Sequence, residues 1–307
     1  MTGRRILIIK LGALGDFFLA QTAFAALRAL HRDDHLALLT LPSLAPLARL
    51  SGLFDAVLED PRGRTIGDWR RVRRLLRGGG FDRVYDLQAQ SRTDRYHLLF
   101  FPGPWPEWSG TASFASHPDR YPGRRKTPVV ERYARQLAPF SVVLAEHADL
   151  SWLDADTSAY GLAQGAYALL IPGSSPGRPD KRWPAASYGE LARLLAARGL
   201  TPVVVGGPAE APLAAAIRQV CGQAVDLTGR TDISQLAGLA RRAWGVAGND
   251  TGPTHVAAAA GAATVGIFCD ASNPIHLSGP RAAILHRSSF DEIDAALTLS
   301  AMEQARG

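Results

Sequence analysis

Patterns typical of short buried strands alternate with patterns typical of helices in two series along this 307-residue chain. The first series covers residues 5–87, and the second covers residues 168–268. Strands that alternate with helices in sequence form a parallel sheet with helices on its faces. A chain of this length also accommodates two domains of ordinary size. We therefore predict an α/β fold with one domain at 1–155 and a second at 156–307.

The predicted strands are short and lie at 5–10, 36–40, 55–58, 82–87, 168–171, 201–205, 224–227, 244–247 and 263–268. The predicted helices lie at 17–30, 43–51, 66–78, 129–138, 187–198, 209–221, 232–242, 252–260 and 291–305. Ser187 and Asp232 are predicted N-caps, because a Glu or Gln follows each of them three residues later. The stretch 98–128 is rich in aromatic residues and proline, which indicates either a functional loop or structure that periodicity does not predict.

A polar segment, Gly-Asn-Asp-Thr-Gly-Pro-Thr-His at 248–255, follows a predicted strand and opens a predicted helix. The first turn of a helix has unpaired N–H groups and a partial positive charge, which together bind phosphate. Thr251 adds a hydroxyl, His255 adds a titratable ring, and Gly252 lets a ligand approach the backbone closely. The segment predicts an anion site, and a helix merely capped by Asp250 is the alternative.

A second polar segment, 172–184, connects the first strand of the second series to its first helix. It carries hydroxyls at Ser174 and Ser175 and cations at Lys181 and Arg182. Ligands of open α/β sheets bind between a strand end and a helix start of this kind. The segment therefore predicts a binding loop, and a solvated charged loop is the alternative.

A third segment, Lys-Leu-Gly-Ala-Leu-Gly-Asp at 10–16, joins the first predicted strand to a helix. It lacks the Gly-x-Gly-x-x-Gly spacing of a dinucleotide site and the Gly-Lys-Ser/Thr of a P-loop. Asp16 closes this turn at a helix start, where the helix dipole favours an ionised carboxylate. Such a carboxylate is either a helix cap or, if it points into a cleft, a general base.

These three segments, in this order and spacing, resemble glycosyltransferase family 9, the ADP-heptose:lipopolysaccharide heptosyltransferases. Segment 10–16 looks like the family's Gly-Asp turn, Lys-Arg-Trp-Pro at 181–184 like its Lys-x-Trp-Pro element, and 250–255 like its Asp-Ser/Thr-Gly-x-x-His element. The resemblance covers most of the chain. It implies a GT-B fold, in which two Rossmann-like domains with parallel sheets face each other across a cleft and the last helix often packs on the first domain. It also implies an inverting sugar transfer with no metal ion and no other cofactor.

The resemblance also implies roles for individual residues. Asp16 would be the general base, and Lys181 would stabilise the leaving diphosphate. The residues expected to bind the nucleotide-sugar donor are Ser174, Ser175, Lys181, Glu210, Thr231, Asp250, Thr251, Gly252 and His255. Glu210 falls where the family has a carboxylate for the donor ribose, and a solvated Glu at a helix start is the alternative. Gly15 would belong to the acceptor side.

One segment departs from the family pattern, which usually has Phe/Tyr-Gly-Pro-Thr/Ser-x-Pro after a late strand. Residues 268–274 read Phe-Cys-Asp-Ala-Ser-Asn-Pro, so the Gly-Pro pair is lost and Asp270 adds a carboxylate. Heptose is therefore the family's default sugar and not one that this sequence specifies. Asp154 and Asp156 have the Asp-x-Asp spacing of metal-dependent sugar transferases, but we interpret it as a coincidence because they lie in the predicted interdomain connector.

The excess positive charge lies in the first half of the chain, since residues 1–155 hold 22 Lys and Arg against 16 Asp and Glu, whereas 156–307 hold 12 of each. A basic surface suits nucleic acid, a membrane or an acidic ligand, and no nucleic-acid-binding module is recognisable. We expect a basic cluster beside the aromatic stretch to contact an anionic glycolipid acceptor or the inner-membrane surface. This cluster consists of Arg120, Arg124, Arg125 and Lys126. A generally arginine-rich composition, and aromatics that hold the loop to the core, are the alternatives.

The chain shows no signal peptide, no apolar run long enough to span a bilayer, and only two cysteines, so we expect a cytoplasmic protein in peripheral contact with the inner membrane. The expected activity moves a sugar, heptose from ADP-heptose by default, onto a lipopolysaccharide inner-core acceptor. Two alternatives stay open. One is another nucleotide-sugar enzyme on the same fold, such as an epimerase, and the other is a non-catalytic nucleotide- or sugar-binding protein.

Overall fold

The computed structural model describes residues 3–175, 177–272 and 277–307, and within these ranges it leaves the side chain of Arg125 undescribed. Asn273 and Pro274, at the end of the departing segment 268–274, lie outside the described residues. The chain divides into two compact units, Met1–Ala148 and Asp149–Gly307. Each unit contains a six-stranded sheet, and every pair of neighbouring strands in both sheets is parallel.

The first unit has the strand order β3-β2-β1-β4-β5-β6. Its strands are β1 (Arg5–Ile9), β2 (His35–Thr40), β3 (Ala56–Glu59), β4 (Arg83–Asp86), β5 (Glu107–Gly110) and β6 (His117–Pro118). Its α-helices are α1 (Leu14–Leu19), α2 (Gln21–Leu30), α3 (Ala45–Leu50), α4 (Ile66–Gly78), α5 (Ser91–Leu98) and α6 (Val129–Leu137).

The second unit has the strand order β12-β11-β10-β7-β8-β9. Its strands are β7 (Tyr167–Ile171), β8 (Thr201–Val204), β9 (Val225–Asp226), β10 (Gly245–Asn249), β11 (Thr264–Phe268) and β12 (Ala282–His286). Its α-helices are α7 (Ala185–Ala197), α8 (Ala211–Val220), α9 (Ile233–Arg242), α10 (Gly252–Ala259) and α11 (Ala295–Arg306).

The central strands are buried because helices cover both faces of a parallel sheet, which favours continuous apolar sequences. All five residues of β7 are buried, as are the last four of β1. In α4, Val72 and Leu76 lie one turn apart and share one core with Leu7 and Leu39 of the sheet. Burial of each such side chain contributes about 1.5–3 kcal/mol. None of the helices in the described ranges has the length and hydropathy that a bilayer-spanning helix needs.

Each sheet reverses its direction of winding between two neighbouring strands. The reversal falls between β1 and β4 in the first sheet and between β7 and β10 in the second. Ligands of open α/β sheets bind outside the carboxyl ends of such a strand pair. In the second unit this rule selects the two segments that follow β7 and β10, because Ile171 pairs with Gly248.

Several elements differ from the sequence predictions. The helix predicted at 17–30 begins at Leu14 and breaks at Ala20 into α1 and α2. Among the strands and α-helices of the described residues, four were not predicted, namely α5, β5, β6 and β12. The strands β5 and β6 show that the stretch 98–128 contains structure. Their sequences, Glu-Trp-Ser-Gly and His-Pro, have too little apolar alternation to indicate strands.

The two predicted capping boxes had different outcomes. Asp232 is confirmed, since its carboxylate accepts a 2.8 Å hydrogen bond from the amide of Gln235. The prediction for Ser187 is wrong, because α7 begins directly after Pro184 and Ser187 lies inside its first turn. The last helix, predicted at 291–305, begins later than expected, because Asp294 is its N-cap. It packs on α7 and on β10, β11 and β12 of its own unit.

Candidate functional site

The segments after β7 and β10 are fastened together by Asn249, the last residue of β10. Its side chain is fully buried. Its Nδ2 donates to the carbonyls of Pro172 (2.8 Å) and Gly173 (3.2 Å), and its Oδ1 accepts from Trp183 N (3.1 Å) and Tyr188 Oη (3.0 Å). The amide therefore holds both ends of the loop 172–184 against β10. The sequence predictions gave Asn249 no role, although it lies inside the segment that they singled out.

The predicted site residues Lys181, Asp250 and His255 come together at this point. Lys181 donates to Oδ2 of Asp250, and His255 Nε2 lies 3.5 Å from Oδ1 of the same carboxylate. Burial alone would raise the pKa of Asp250, but hydrogen bonds from His255 and Lys181 outweigh it and hold the pKa below its usual value. Asp250 is thus an ionised acceptor that orients the side chains of Lys181 and His255.

The helix α10 begins at Gly252, within the segment where an anion site was predicted. Thr251 is the N-cap residue, and its carbonyl accepts from the amides of Thr254 and His255. The alternative of a helix capped by Asp250 is therefore not observed. Pro253 has no N–H, so few first-turn donors remain, and they face outward along the helix axis.

Two buried polar atoms beside this helix start have no hydrogen-bond partner in the part of the chain that the structure describes, namely Oγ1 of Thr254 and Nδ1 of His255. Buried polar atoms of folded proteins nearly always have partners, so such atoms suit a site that binds a ligand. Gly248 makes the close packing possible, because a Cβ there would collide with Thr254.

The predicted serines of the loop differ in their surroundings. Ser174 is buried, and its Oγ donates to the carbonyl of Arg178 (2.8 Å) and accepts from Nε of Arg182 (2.9 Å). Ser175 is exposed. Ser174 therefore shapes the loop, whereas Ser175 is accessible to a ligand.

Glu210 lies in the turn that follows strand β8, and Thr231 lies in the loop before α9. Glu210 lies directly over the loop after β7, since a Cβ added to Gly173 would be 2.9 Å from Cγ of Glu210. The loop that leads to Thr231 is tied to the loop after β8 by the hydrogen bond from Gly229 N to Gly206 O (2.8 Å). Glu210 thus lies beside the loop that carries Lys181, whereas no hydrogen bond joins Thr231 to that loop in the described part of the chain.

The described part of the departing segment 268–274 touches the same loop. Arg178 donates to the carbonyl of Ala271 (2.6 Å), and Sγ of Cys269 lies 3.8 Å from the carbonyl of Asp180. The added carboxylate of Asp270 lies 3.2 Å from Nε2 of His286. A substitution in this segment would therefore alter contacts of the loop that carries Lys181.

In the first unit, Asp16 is the third residue of α1 and is half-buried. Its carboxylate forms no hydrogen bond with any other described residue, and the helix has Ala13 at its N-cap. The alternative of a capping role is therefore not observed. The turn before Asp16 contains Gly12 at φ +94°, a conformation that favours glycine.

The turn is held by a residue that the sequence predictions missed. Oε1 of Gln88 accepts a 2.9 Å hydrogen bond from the amide of Leu11. Gln88 is itself fixed by Asp86 at the end of β4, whose Oδ1 accepts from the amides of Gln88 and Ala89. Asp86 is fully buried, and burial raises its pKa to about 7. Asp86 and Gln88 at the end of β4 therefore hold the segment 10–16, which follows the neighbouring strand β1.

Two members of the predicted acceptor cluster already have protein partners. Arg124 pairs at 2.7 Å with the buried carboxylate of Asp119, and Arg120 donates to the carbonyl of Thr111. Lys126 is exposed, the side chain of Arg125 is not described, and Gly15 is buried in α1.

The carboxylates of Asp154 and Asp156 both have protein partners. Asp154 accepts from the guanidinium of Arg242 (3.0 and 3.2 Å), and Asp156 accepts from Ser158. Across residues 3–175, 177–272 and 277–307, no cluster of three or more His, Cys, Asp or Glu side chains has the geometry of a metal site.

Each unit has the doubly wound parallel sheet of a Rossmann-like domain, and in the second unit a lysine and a helix start lie at the winding reversal. The sequence profile of glycosyltransferase family 9 (heptosyltransferase) matches residues 69–285, more than two thirds of the chain. The chain therefore belongs to glycosyltransferase family 9 and is a glycosyltransferase, as the sequence analysis predicted.

Individual relatives agree with this assignment. Lipooligosaccharide heptosyltransferase 2 of Haemophilus ducreyi is 25% identical over 283 residues, which cover 83% of this chain and 80% of that protein. The protein of the same name from Haemophilus influenzae is 30% identical over 104 residues, 32% of this chain and 30% of that protein.

Solved structures share the fold at low sequence identity. The ADP-heptose LPS heptosyltransferase II of E. coli superposes with a TM-score of 0.77 at 21% identity and covers 98% of both chains. A family 9 glycosyl transferase from Veillonella parvula DSM 2008 superposes with a TM-score of 0.82 at 20% identity, over 99% of this chain and 97% of that one. These likenesses confirm the predicted α/β fold of the GT-B type.

Proposed function

We propose that this chain transfers a heptosyl group from ADP-heptose to the inner core of a lipopolysaccharide precursor, with inversion at the anomeric carbon. The observation that carries the proposal is the convergence of Lys181, Asp250 and the start of α10 at the β7–β10 reversal. The names of the relatives, which refer to lipooligosaccharide and to ADP-heptose, support this donor and acceptor.

The proposed reaction is a single displacement. Asp16 takes the proton from an acceptor hydroxyl while that oxygen forms a bond to the anomeric carbon. The bond from the anomeric carbon to the diphosphate oxygen breaks, and its electron pair leaves with ADP. Lys181 and the N–H groups at the start of α10 stabilise the charge that builds on the diphosphate.

The remaining residues bind the two substrates in this proposal. Ser174, Ser175, Asp250, Thr251, Gly252 and His255 surround the diphosphate, Glu210 binds the ribose, and Thr231 lies near the base. Gly15, Arg120, Arg124, Arg125 and Lys126 face an anionic glycolipid. Because such an acceptor resides in a membrane, we infer that the protein works in the cytoplasm in peripheral contact with the inner membrane.

Thermal unfolding of the purified chain with ADP-, UDP- and GDP-sugars tests the donor assignment. The proposal expects ADP and ADP-heptose to raise the melting temperature more than the matched UDP and GDP compounds. Mass-spectrometric detection of a heptosylated acceptor then tests transfer. Stabilisation by none of these ligands would favour a non-catalytic protein, and conversion of the donor sugar without an acceptor would favour an epimerase.

A further inference from the structure

The excess charge of the chain is concentrated around one helix. Residues 61–80 hold seven arginines and one aspartate, a formal charge of +6. The whole chain also carries +6, so the remaining residues are neutral overall. The segment consists of α4 and the loop before it, and it lies outside the cluster at 120–126 that the sequence analysis selected. Its arginines are Arg62, Arg64, Arg70, Arg71, Arg73, Arg74 and Arg77.

These arginines are not neutralised by neighbouring carboxylates. Within the described ranges, none of the seven forms an ion pair, whereas Arg124 pairs with Asp119 and Arg49 pairs with Glu59. The single acidic residue of the segment, Asp68, accepts hydrogen bonds from Thr65 at the start of α4. The side chains of Arg70, Arg71 and Arg74 are exposed on the outer face of the helix, opposite the buried Val72 and Leu76.

Exposed apolar side chains lie beside this basic helix. Leu98 at the end of α5 is 53% exposed, Phe101 is 67% exposed and Trp105 is 41% exposed. The loop that carries them is fastened to α4, because Arg73 donates to the carbonyl of Phe101 (3.0 Å) and Arg77 to that of Phe100 (3.3 Å). The segment with Phe101 is therefore anchored on α4, the helix that carries the exposed, unpaired arginines.

We propose that this surface, consisting of Arg70, Arg71, Arg74, Leu98, Phe101 and Trp105, docks the protein on an anionic lipid bilayer. Interfacial protein segments combine Arg or Lys with Trp, Phe and Leu in this way, because the cations meet lipid phosphates while the apolar groups enter the headgroup region. A nucleic acid would satisfy the arginines but would leave Leu98 exposed, so the apolar groups favour lipid. The proposal states which surface makes the membrane contact inferred above. It rests on the proposed function only because that function requires an acceptor in a membrane.

Sedimentation of the full chain with vesicles of phosphatidylethanolamine and phosphatidylglycerol tests the proposal, in the absence of either substrate. Binding should be strong to these vesicles, weak to phosphatidylcholine vesicles, and weaker as salt rises. The triple variant Arg70→Gln, Arg71→Gln, Arg74→Gln should bind about 100-fold less tightly, since each basic residue near an anionic surface contributes roughly a factor of five.

A matched control separates the effect of removing these particular arginines from the effect of lowering the net charge. The variant Arg193→Gln, Arg218→Gln, Arg287→Gln loses the same charge at exposed positions of the second unit and should bind vesicles like the wild type. Phe101→Ser keeps the charge and should bind about 3- to 10-fold less tightly, with a loss that persists at high salt. Both arginine variants should melt like the wild type and bind ADP equally well.

Three results would overturn the docking surface. The first is wild-type protein that does not sediment with anionic vesicles at physiological salt. The second is an α4 triple variant that binds anionic vesicles as tightly as the control variant of the second unit. The third is tighter binding to a single-stranded RNA than to vesicles, lost in the same variant. Vesicle binding without heptosyl transfer would instead refute the proposed function and leave the surface standing.

Discussion

The backbone amide of Trp183 donates a 3.1 Å hydrogen bond to Oδ1 of Asn249, which joins two loops that lie 66 residues apart in the sequence. Nε1 of Trp183 donates to the carbonyl of Ile293, so the tryptophan also reaches the segment before α11. Lys181 is two residues before this anchor, and Asp250 is one residue after Asn249. The contact therefore sets the position of both charged partners.

Replacing Asn249 tests this anchor. Asn249→Asp keeps the acceptor oxygen but turns the donor nitrogen into an oxygen that faces the carbonyls of Pro172 and Gly173. We expect the free energy of unfolding to fall by about 2–4 kcal/mol, since two buried acceptors lose their donor. Urea unfolding measures this loss. Gln223→Glu makes the same chemical change at an exposed position and should shift stability by less than about 0.5 kcal/mol. If both variants lost the same stability, Asn249 would not act as the anchor.

Replacing Lys181 tests the diphosphate site. Lys181→Ala should weaken ADP binding by about 1.5–3 kcal/mol, or roughly 10- to 150-fold, because it deletes a charged hydrogen-bond donor. Titration calorimetry measures the affinity. Arg193→Ala is the control and should bind ADP like the wild type, because Arg193 is an exposed cation of α7 that pairs with Glu190. If both variants bound ADP like the wild type, Lys181 would not belong to the site.

Replacing Asp16 tests the general base. Asp16→Asn should lower the transfer rate by roughly 10²- to 10⁴-fold, the usual contribution of a proton acceptor. Stability and ADP affinity should hardly change, because the Asp16 carboxylate bonds to no other group in the described residues. Single-turnover rates and ADP calorimetry on one preparation measure the two effects. Near wild-type transfer by the variant would contradict the assignment.

The buried Asp86 predicts a pH dependence of stability. Its pKa is about 7 in the folded chain and 3.8 in an unperturbed carboxyl. Between about pH 4 and pH 7 the folded state therefore holds a proton that the unfolded state loses, so the free energy of unfolding falls as pH rises. The difference between the two pKa values corresponds to at most about 4 kcal/mol.

Asp86→Asn should remove this term while keeping the acceptor for Gln88 and Ala89. Relative to wild type, the variant should gain stability steadily from pH 4 to pH 7 in denaturant titrations. Two stability curves that run parallel over this range would show that Asp86 does not titrate there.

The acceptor cluster is best tested at Lys126. Arg124→Ser would leave the buried Asp119 unpaired, which costs about 3–5 kcal/mol and confuses stability with binding. Lys126→Ser removes an exposed charge, so folding should be unaffected. We expect a rise of about 2- to 5-fold in the acceptor KM with an unchanged donor KM, measured from initial rates. An unchanged acceptor KM would exclude Lys126 from the acceptor contact.

Much of the fold could be predicted because the spacing of apolar residues shows which face of a helix or strand is buried. The helix at 66–78 was predicted with its observed ends, since Val72 and Leu76 mark a clear buried face and Thr65 caps its start. The motif Ser-x-x-Glu at Ser187 failed where Asp-x-x-Gln at Asp232 succeeded, because a residue pattern cannot tell the N-cap from the first turn. The strand β12 was missed because its side chains are only partly buried and so leave a weak pattern.

The candidate site was predictable at the level of segments but not of partners. Strand ends of one sheet converge, so 172–184 and 248–255 could be expected to meet. The pairing of Lys181 with Asp250 depends on the register of Ile171 with Gly248, which no local pattern contains. The roles of Asn249 and Gln88 likewise arise from hydrogen bonds across 77 residues in each case.

The pairing of β7 with β10 has a consequence for how the second unit folds. Asn249 and Pro172 are 77 residues apart, and the chain between them forms β8, β9 and the helices around them. Closing so long a loop has an entropic cost that later contacts must offset, so such pairings form late. The proposed donor site at the β7–β10 reversal should therefore be absent from early folding intermediates. In a refolding experiment, the appearance of ADP binding would then mark the completion of the sheet.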